Sequence, residues 1–284
     1  MALAALAILG KKYTVQREGR HWQFRLPGYT IEFFLRSTDT LVVTFDPRRK
    51  SYPPSATREA WAAVFLARRG LSGLHVKPDQ SCWYLDPGLE TFFRDAQAAG
   101  LFGSFATVMN YGGSMGGFGA LAFAAITGAR RVLAMNPQVN LGPEVRGWER
   151  RYKDAEALDW TRPICDLGLQ VAGVETLAVV FDPYDTYDRP QADLIAADHM
   201  IRLHIPFVGH RMPAHLLSLR LLAPVFDQTL TGSLDLPAFY RTARQRRMLL
   251  RYKRVMLRRT KENKPRHRRL KRLLPEDDAL IGPA

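Results

Sequence analysis

The chain has 284 residues, is 46% hydrophobic and carries a formal charge of +14. That length and apolar content suffice for one large α/β domain with a substantial core. Two cysteines, Cys82 and Cys165, exclude a disulfide framework and point to buried thiols in a reducing, cytoplasmic compartment.

From the start of the chain, Ala2 to Leu9 is apolar but short, with no basic residue before it and Gly10-Lys11-Lys12 after it. It does not read as a signal peptide. It reads as an ordered or frayed terminal segment, with a membrane-proximal role as the alternative. No apolar run reaches the length of a transmembrane helix. Tyr13 to Arg17, His21 to Arg25 and Tyr29 to Phe34 alternate and are rich in aromatic and β-branched residues, which predicts hairpins at the start of a sheet. Thr40 to Phe45 is a nearly continuous apolar strand, the pattern of a strand covered on both faces. Arg58 to Arg69 predicts a helix, with Gly70 at its C-cap. Leu74 to Val76 predicts a strand, Leu89 to Ala99 a helix and Phe105 to Met109 a strand. Residues 112–119 are glycine-rich, Ala120 to Ile126 is helix-prone, and Arg131 to Met135 is again a strand.

Residues 136–175 break this rhythm with Pro137, Gly142-Pro143, Trp148, Trp160 and Pro163. The segment is long for a plain connection and reads either as a small cap over a site or as a surface excursion. The rhythm returns with a strand at Thr176 to Phe181, a helix at Gln191 to His199, a strand at Ile201 to Phe207 and a helix at Pro213 to Leu222. Strands alternating with helices predict a mostly parallel central sheet flanked by helices over residues 1–235, with ligands at the carboxyl ends of the strands.

Residues 236–284 form a different unit, a basic helical extension. Arginines interleave with Leu249, Leu250, Tyr252, Val255, Met256 and Leu257, and Lys264-Pro265 breaks the run before a shorter basic stretch from Arg266 to Leu274. Sixteen Lys and Arg lie between Arg241 and Arg272 against one acid, Glu262. The rest of the chain is therefore close to neutral, which excludes a nucleic-acid binder that is basic throughout. The segment itself suits an anionic surface, an acidic partner or a polyanion, or packs as a solvated helix.

The chemistry is carried by Gly112-Gly113-Ser114-Met115-Gly116, a G-x-S-x-G run between a strand and a helix. That context is the nucleophile elbow. Ser114 would stand on a sharp turn, with glycines at 112 and 116 because a side chain there would strike the neighbouring strand or helix. A serine hydroxyl needs a base and a carboxylate behind that base. His210 follows the last strand and is the candidate base; Asp185, past the turn begun by Asp182-Pro183, is the candidate acid, with Asp188 as the alternative. Oxyanion donors are expected at the Met115 N–H and at Phe45 or Asp46, since Pro47 has no N–H. No metal cluster, P-loop or dinucleotide fingerprint competes, so neither metal nor cofactor is expected.

Over residues 13–230 the chain resembles the α/β-hydrolase fold superfamily, on Tyr111 to Gly117, Phe181 to Asp185 and Gly209-His210. The resemblance implies a serine hydrolase acting on a small-molecule ester or thioester, with Ser114 as nucleophile, His210 as base and Asp185 as acid. The alternative is a non-catalytic or vestigial protein of the same fold, targeted by its basic tail. An HGGG-like oxyanion loop is missing, and the basic extension is not part of the core fold.

Overall fold

The computed structural model describes residues 1–272. The predicted end of the shorter basic stretch at Leu274 and the acidic Glu276, Asp277 and Asp278 lie outside them. Helix α1 (Ala2–Lys12) buries Ala2, Ala5, Leu6 and Leu9, a single helical stripe, in the main core. Strands β1 (Thr14–Glu18), β2 (His21–Leu26) and β3 (Tyr29–Phe34) form an antiparallel meander. They are followed by β4 (Thr40–Phe45), α2 (Ala63–Ala67), β5 (Ser72–Pro78), α3 (Pro87–Ala98) and β6 (Thr107–Gly113). Then come α4 (Met115–Ala122), α5 (Ala124–Thr127), β7 (Arg131–Met135), α6 (Leu167–Val171), β8 (Thr176–Phe181), α7 (Asp188–Asp193) and β9 (Ile201–His204). The remaining helices are α8 (Met212–Ser218), α9 (Leu222–Thr231), α10 (Leu236–Ala243), α11 (Leu250–Arg259) and α12 (Lys264–Lys271).

The nine strands make one sheet in the order β1-β2-β3-β5-β4-β6-β7-β8-β9. β3 joins β5 antiparallel, and every later pairing is parallel. β4, β6, β7 and β8 are buried almost throughout because helices cover both faces. One face packs on α1, α3, α4 and α5, the other on α8, α9 and α10. This is the α/β-hydrolase fold, with a helical extension at its C-terminal end.

Several predicted elements change: β6 runs on to Gly113, β9 stops at His204, and the helices expected at 120–126 and 213–222 each divide in two. The helix expected over 58–69 shrinks to α2, because Arg58 and the Trp61 N–H are both drawn onto the Asp46 carboxylate. The helix expected at Gln191 to His199 begins earlier, at Asp188. The basic tail, expected as a long helical stretch up to Lys264-Pro265 and a shorter run after it, is divided once more. A 3-10 turn at Arg244–Met248 precedes α11, and Asn263 caps α12 with Pro265 in its first turn. The preceding helix has already ended at Arg259, with Thr260 at its C-cap, so Pro265 opens a helix and is not the break expected there.

Residues 136–175 hold only short turns and α6, yet Val145, Ala155, Trp160 and Ile164 are buried. Gln191 of α7 secures the start of this segment, its Oε1 accepting from the Val139 and Asn140 amides at 2.7 and 3.0 Å. Both cysteines are free, and burial pushes each thiol up to about 11. Among the described residues no helix is long and apolar enough to cross a membrane.

Candidate active site

β6 delivers Ser114 between its last glycine and the first turn of α4. Ser114 has φ 58° and ψ −124°, a strained conformation for a residue with a side chain. The glycines make the strain tolerable to its neighbours. A Cβ on Gly112 would lie 1.9 Å from the Gly116 carbonyl oxygen, and one on Gly116 would lie 2.1 Å from that of Phe45. Both clashes are with backbone, so no rotamer relieves them. The Ser114 amide is tied to the Met135 carbonyl at 2.8 Å, fixing the turn against β7.

His210 reaches this serine from the loop after β9. Its Nε2 lies 3.0 Å from Ser114 Oγ. Its Nδ1 lies 2.7 and 2.9 Å from the two oxygens of Asp188, a fully buried carboxylate. Gly209, at φ 73°, turns the chain into His210, and its amide donates to Asp182 Oδ2 at 2.7 Å. The expected acid, Asp185, is corrected by this geometry. Its Oδ1 accepts the amides of Tyr187 and Asp188 at 3.0 Å each, so it shapes the loop while the next turn presents Asp188 to the imidazole. Asp182 is turn chemistry, as expected, accepting from the Tyr184 amide.

The insertion lies over this group and supplies residues that the sequence did not single out. Gln138, wholly buried, accepts the Ser114 hydroxyl on Oε1 at 2.9 Å, and its Nε2 is 2.9 Å from His210 Nε2. Asn136 Nδ2 is 3.0 and 3.1 Å from the two ring nitrogens, which places it over the imidazole face rather than in line with either. Arg151 donates to Asp188 Oδ1 at 2.7 Å and grips the buried Glu149 through two bonds of 2.9 and 2.7 Å. Burial alone would raise Glu149, but the hydrogen bonds and charge of Arg151 hold its carboxyl below the usual range. Burial likewise opposes the charge on Arg151, and Glu149 and Asp188 together raise its pKa above the ordinary value.

Tyr152, the next residue, lies with its hydroxyl 3.5 Å from His210 Nε2. Burial raises its pKa, so it is a protonated donor at neutral pH. Its ring packs 5.2 Å from Trp83 and under Arg48 at 5.3 Å. Trp83 is itself fully buried at φ 43°, with no hydrogen-bond partner for its indole N–H among the described residues.

The loop after β4 also departs from expectation. Phe45 is in register with Val76 on one side and Gly112 on the other, inside the ladder rather than over the serine. The Asp46 amide donates to the Val76 carbonyl at 3.2 Å and is not free for a ligand. The Asp46 carboxylate instead braces the loop through Arg49, Arg58 and the Trp61 amide. Beyond Pro47 the first N–H belongs to Arg48. Met115 keeps its expected place: it is the first residue of α4, whose leading amides have no intrahelical acceptor. His204 lies on β9 and His215 on α8, away from this group, and among the described residues no cluster of side chains could hold a metal.

No family model matches the chain, and no curated protein matches its sequence. Solved structures match its fold. The capsule O-acetyltransferase of Neisseria meningitidis serogroup A is 12% identical with a TM-score of 0.51, covering 78% of this chain and 99% of its own. Thermogutta terrifontis esterase 2 is 12% identical at a TM-score of 0.50, covering 72% and 90%. A glycosylation-associated protein complex of Streptococcus agalactiae is 14% identical at 0.50, covering 70% and 46%. At these identities the likeness is one of fold.

Proposed function

We propose that the protein cleaves an ester or thioester through an acyl-enzyme on Ser114, with His210 as general base and Asp188 behind it. The observation that carries this is the continuous chain Asp188–His210–Ser114, at 2.7 and 3.0 Å, ending on a strained elbow. In that scheme His210 Nε2 takes the hydroxyl proton as Oγ attacks the carbonyl carbon. Asp188 then holds the Nδ1–H and stabilises the imidazolium. The tetrahedral oxyanion forms against the Met115 N–H, at the positive end of α4, with the Arg48 N–H and the Tyr152 hydroxyl as the further donors. Collapse expels the alcohol or thiol, which takes the proton from His210. Water, activated by the same imidazole, frees the acid. An O-acetyltransferase and an esterase are among the proteins of this fold, and both names describe acyl chemistry; the proposal rests on the residues.

The resting contacts fit a site awaiting substrate. The Ser114 hydroxyl lies within hydrogen-bond distance of both Gln138 Oε1 and His210 Nε2, so Gln138 competes with the base for its proton until an acyl group enters. A second reading, a binding protein that keeps the constellation without turnover, is favoured by one observation: Arg151 places a cation on Asp188, which opposes an imidazolium beside it. Labelling with a fluorophosphonate separates the two. Wild type should label on Ser114, Ser114→Ala not at all, and His210→Ala only weakly. A folded wild type that resists labelling, yet admits a small sulfonyl fluoride without reacting, would sink the catalytic reading.

A further inference from the structure

Beside the open edge of β9 lies a pocket of about 820 Å³ lined by Arg189, Arg202, Arg244, Arg246 and Arg247. Asp193 is the sole acid on its wall, and it pairs with Arg202 at 2.6 Å and Arg189 at 3.5 Å. Among the described residues no carboxylate lies within ion-pair distance of Arg244, Arg246 or Arg247, and the buried Arg246 Nε has no hydrogen-bond partner. Arg247 also lines a second pocket of about 730 Å³, shared with Tyr252, Lys253, Arg266 and Arg269. The two hollows share Arg247 on their walls and set a track of cationic side chains along the 244–248 turn and α12.

The track is joined to the site described above. Arg189 follows Asp188 directly, and Tyr184 on the pocket wall belongs to the same loop. Tyr184 stacks on Phe207 at 4.3 Å, and Arg259 of α11 covers both rings. Arg251 approaches Gly209, the residue before His210. The basic tail therefore docks on the loops that carry the candidate acid and base.

The geometry points to an acidic polysaccharide as the occupant of this double pocket, and to that glycan as the carrier of the ester that Ser114 cleaves. The second clause rests on the proposed function; the first does not. Three features choose the ligand. Guanidinium groups at successive points of a groove match carboxylates or phosphates repeated along a chain, each taken by paired N–H donors. Two concave hollows suit a flexible polymer better than the plane of a membrane. Aromatic faces for stacking nucleobases are few beside the cationic side chains of the two hollows: Tyr184 and Tyr252 each carry an arginine over one ring face, which leaves Tyr240. A glycan also brings what polyphosphate lacks, hydroxyls that bear acyl esters. In the reaction Oγ attacks the ester carbonyl, the glycan oxygen leaves with the proton held by His210, and water regenerates Ser114 with release of the carboxylic acid.

The test is fluorescence anisotropy with labelled polygalacturonate on the full chain, against single-stranded DNA, vesicles of phosphatidylglycerol in phosphatidylcholine, and neutral dextran. The expected result is saturable, salt-sensitive binding of polygalacturonate, preferred over the other three. The double variant Arg244→Gln/Arg247→Gln should weaken it about tenfold or more with a shallower salt dependence, at an unchanged melting temperature. Ser114→Ala should bind as wild type does. O-acetylated polygalacturonate should release acetate with wild type, not with Ser114→Ala, and with a raised KM in the arginine double variant. Binding that ignores the double variant, or that favours DNA or vesicles, overturns the site. Intact binding without labelling of Ser114 or acetate release would leave the site standing and remove the catalytic reading.

Discussion

Asp185 and Asp188 lie three residues apart on one loop, and only their partners separate them. In sequence both follow a late strand at positions where an acid is expected, and the turn begun by Asp182-Pro183 favours the nearer one. In the structure the nearer one acts locally, accepting two amides of its own loop and opening α7. Asp185 thereby holds the Asp188 amide, while the Asp188 carboxylate faces His210 Nδ1. An amide-capping carboxylate and an imidazole-facing one look alike in a string of residues, since the difference is the direction of a side chain. Gln138, Arg151 and Tyr152 were illegible for a related reason: they come from a segment without periodicity, and only its path over the sheet brings them to His210. Ser114 and His210 were legible because glycines and chain order mark them. The two aspartates should separate cleanly in a kinetic test. Asp188→Asn should lower the rate of Ser114 labelling by roughly 10⁴, because the imidazole loses the acceptor that sets its tautomer. Asp185→Ala should cost about 0.5–1.5 kcal/mol of stability, the loss of the bonds it accepts from two loop amides, and leave labelling within about tenfold. Equal losses of labelling in the two variants would refute the assignment.

At the level of elements, strands buried on both faces were the most legible. β4, β7 and β8 fall on the apolar runs residue for residue, because a continuous run of Val, Leu and Ala has one use in a chain that alternates with helices. Elements bent by a side chain were the least legible. α2 is short because Asp46, far from it in sequence, takes the Trp61 amide that a longer helix would have used. The elbow lies between these cases: its glycines are visible, but the reason for each is a neighbour on another element. Gly116 faces the Phe45 carbonyl, and Gly103 faces open space in a surface turn. Gly116→Ala forces α4 off β4, and should cost about 1–3 kcal/mol or more and abolish labelling of Ser114. Gly103→Ala should stay within about 0.5 kcal/mol of wild type with labelling unchanged. Chemical denaturation of the two variants checks this, and a tolerated Gly116→Ala would mean that the close approach of β4 and α4 is not required.

Across the whole molecule, charge is segregated: a near-neutral domain carries a basic extension that lies beside the loops of the candidate site. Global stability therefore depends on groups inside the domain, and one of them gives it a pH dependence of known sign. His75 is fully buried on β5, with Nδ1 2.6 Å from Thr44 Oγ1 and no hydrogen-bond partner for Nε2 among the described residues. Burial, with Arg36 and Lys77 adding repulsion, lowers its pKa to about 3. In the unfolded chain the same imidazole binds a proton near pH 6.5. Above that pH neither state is protonated and His75 contributes no pH dependence. As pH falls below it, the unfolded chain takes up a proton that the folded protein refuses until about pH 3, so stability declines across that window. One unmatched proton corresponds to a slope of about 1.4 kcal/mol per pH unit. His75→Gln keeps a neutral partner for Thr44 and removes the titration. Whatever its stability at pH 8, the variant should gain on wild type as the pH is lowered from 6.5 toward 4, closing or crossing the gap where it starts the less stable. Urea denaturation at a series of pH values measures both curves. Parallel curves would show that the folded protein admits a charge at His75, by hydrating the strand or by opening it.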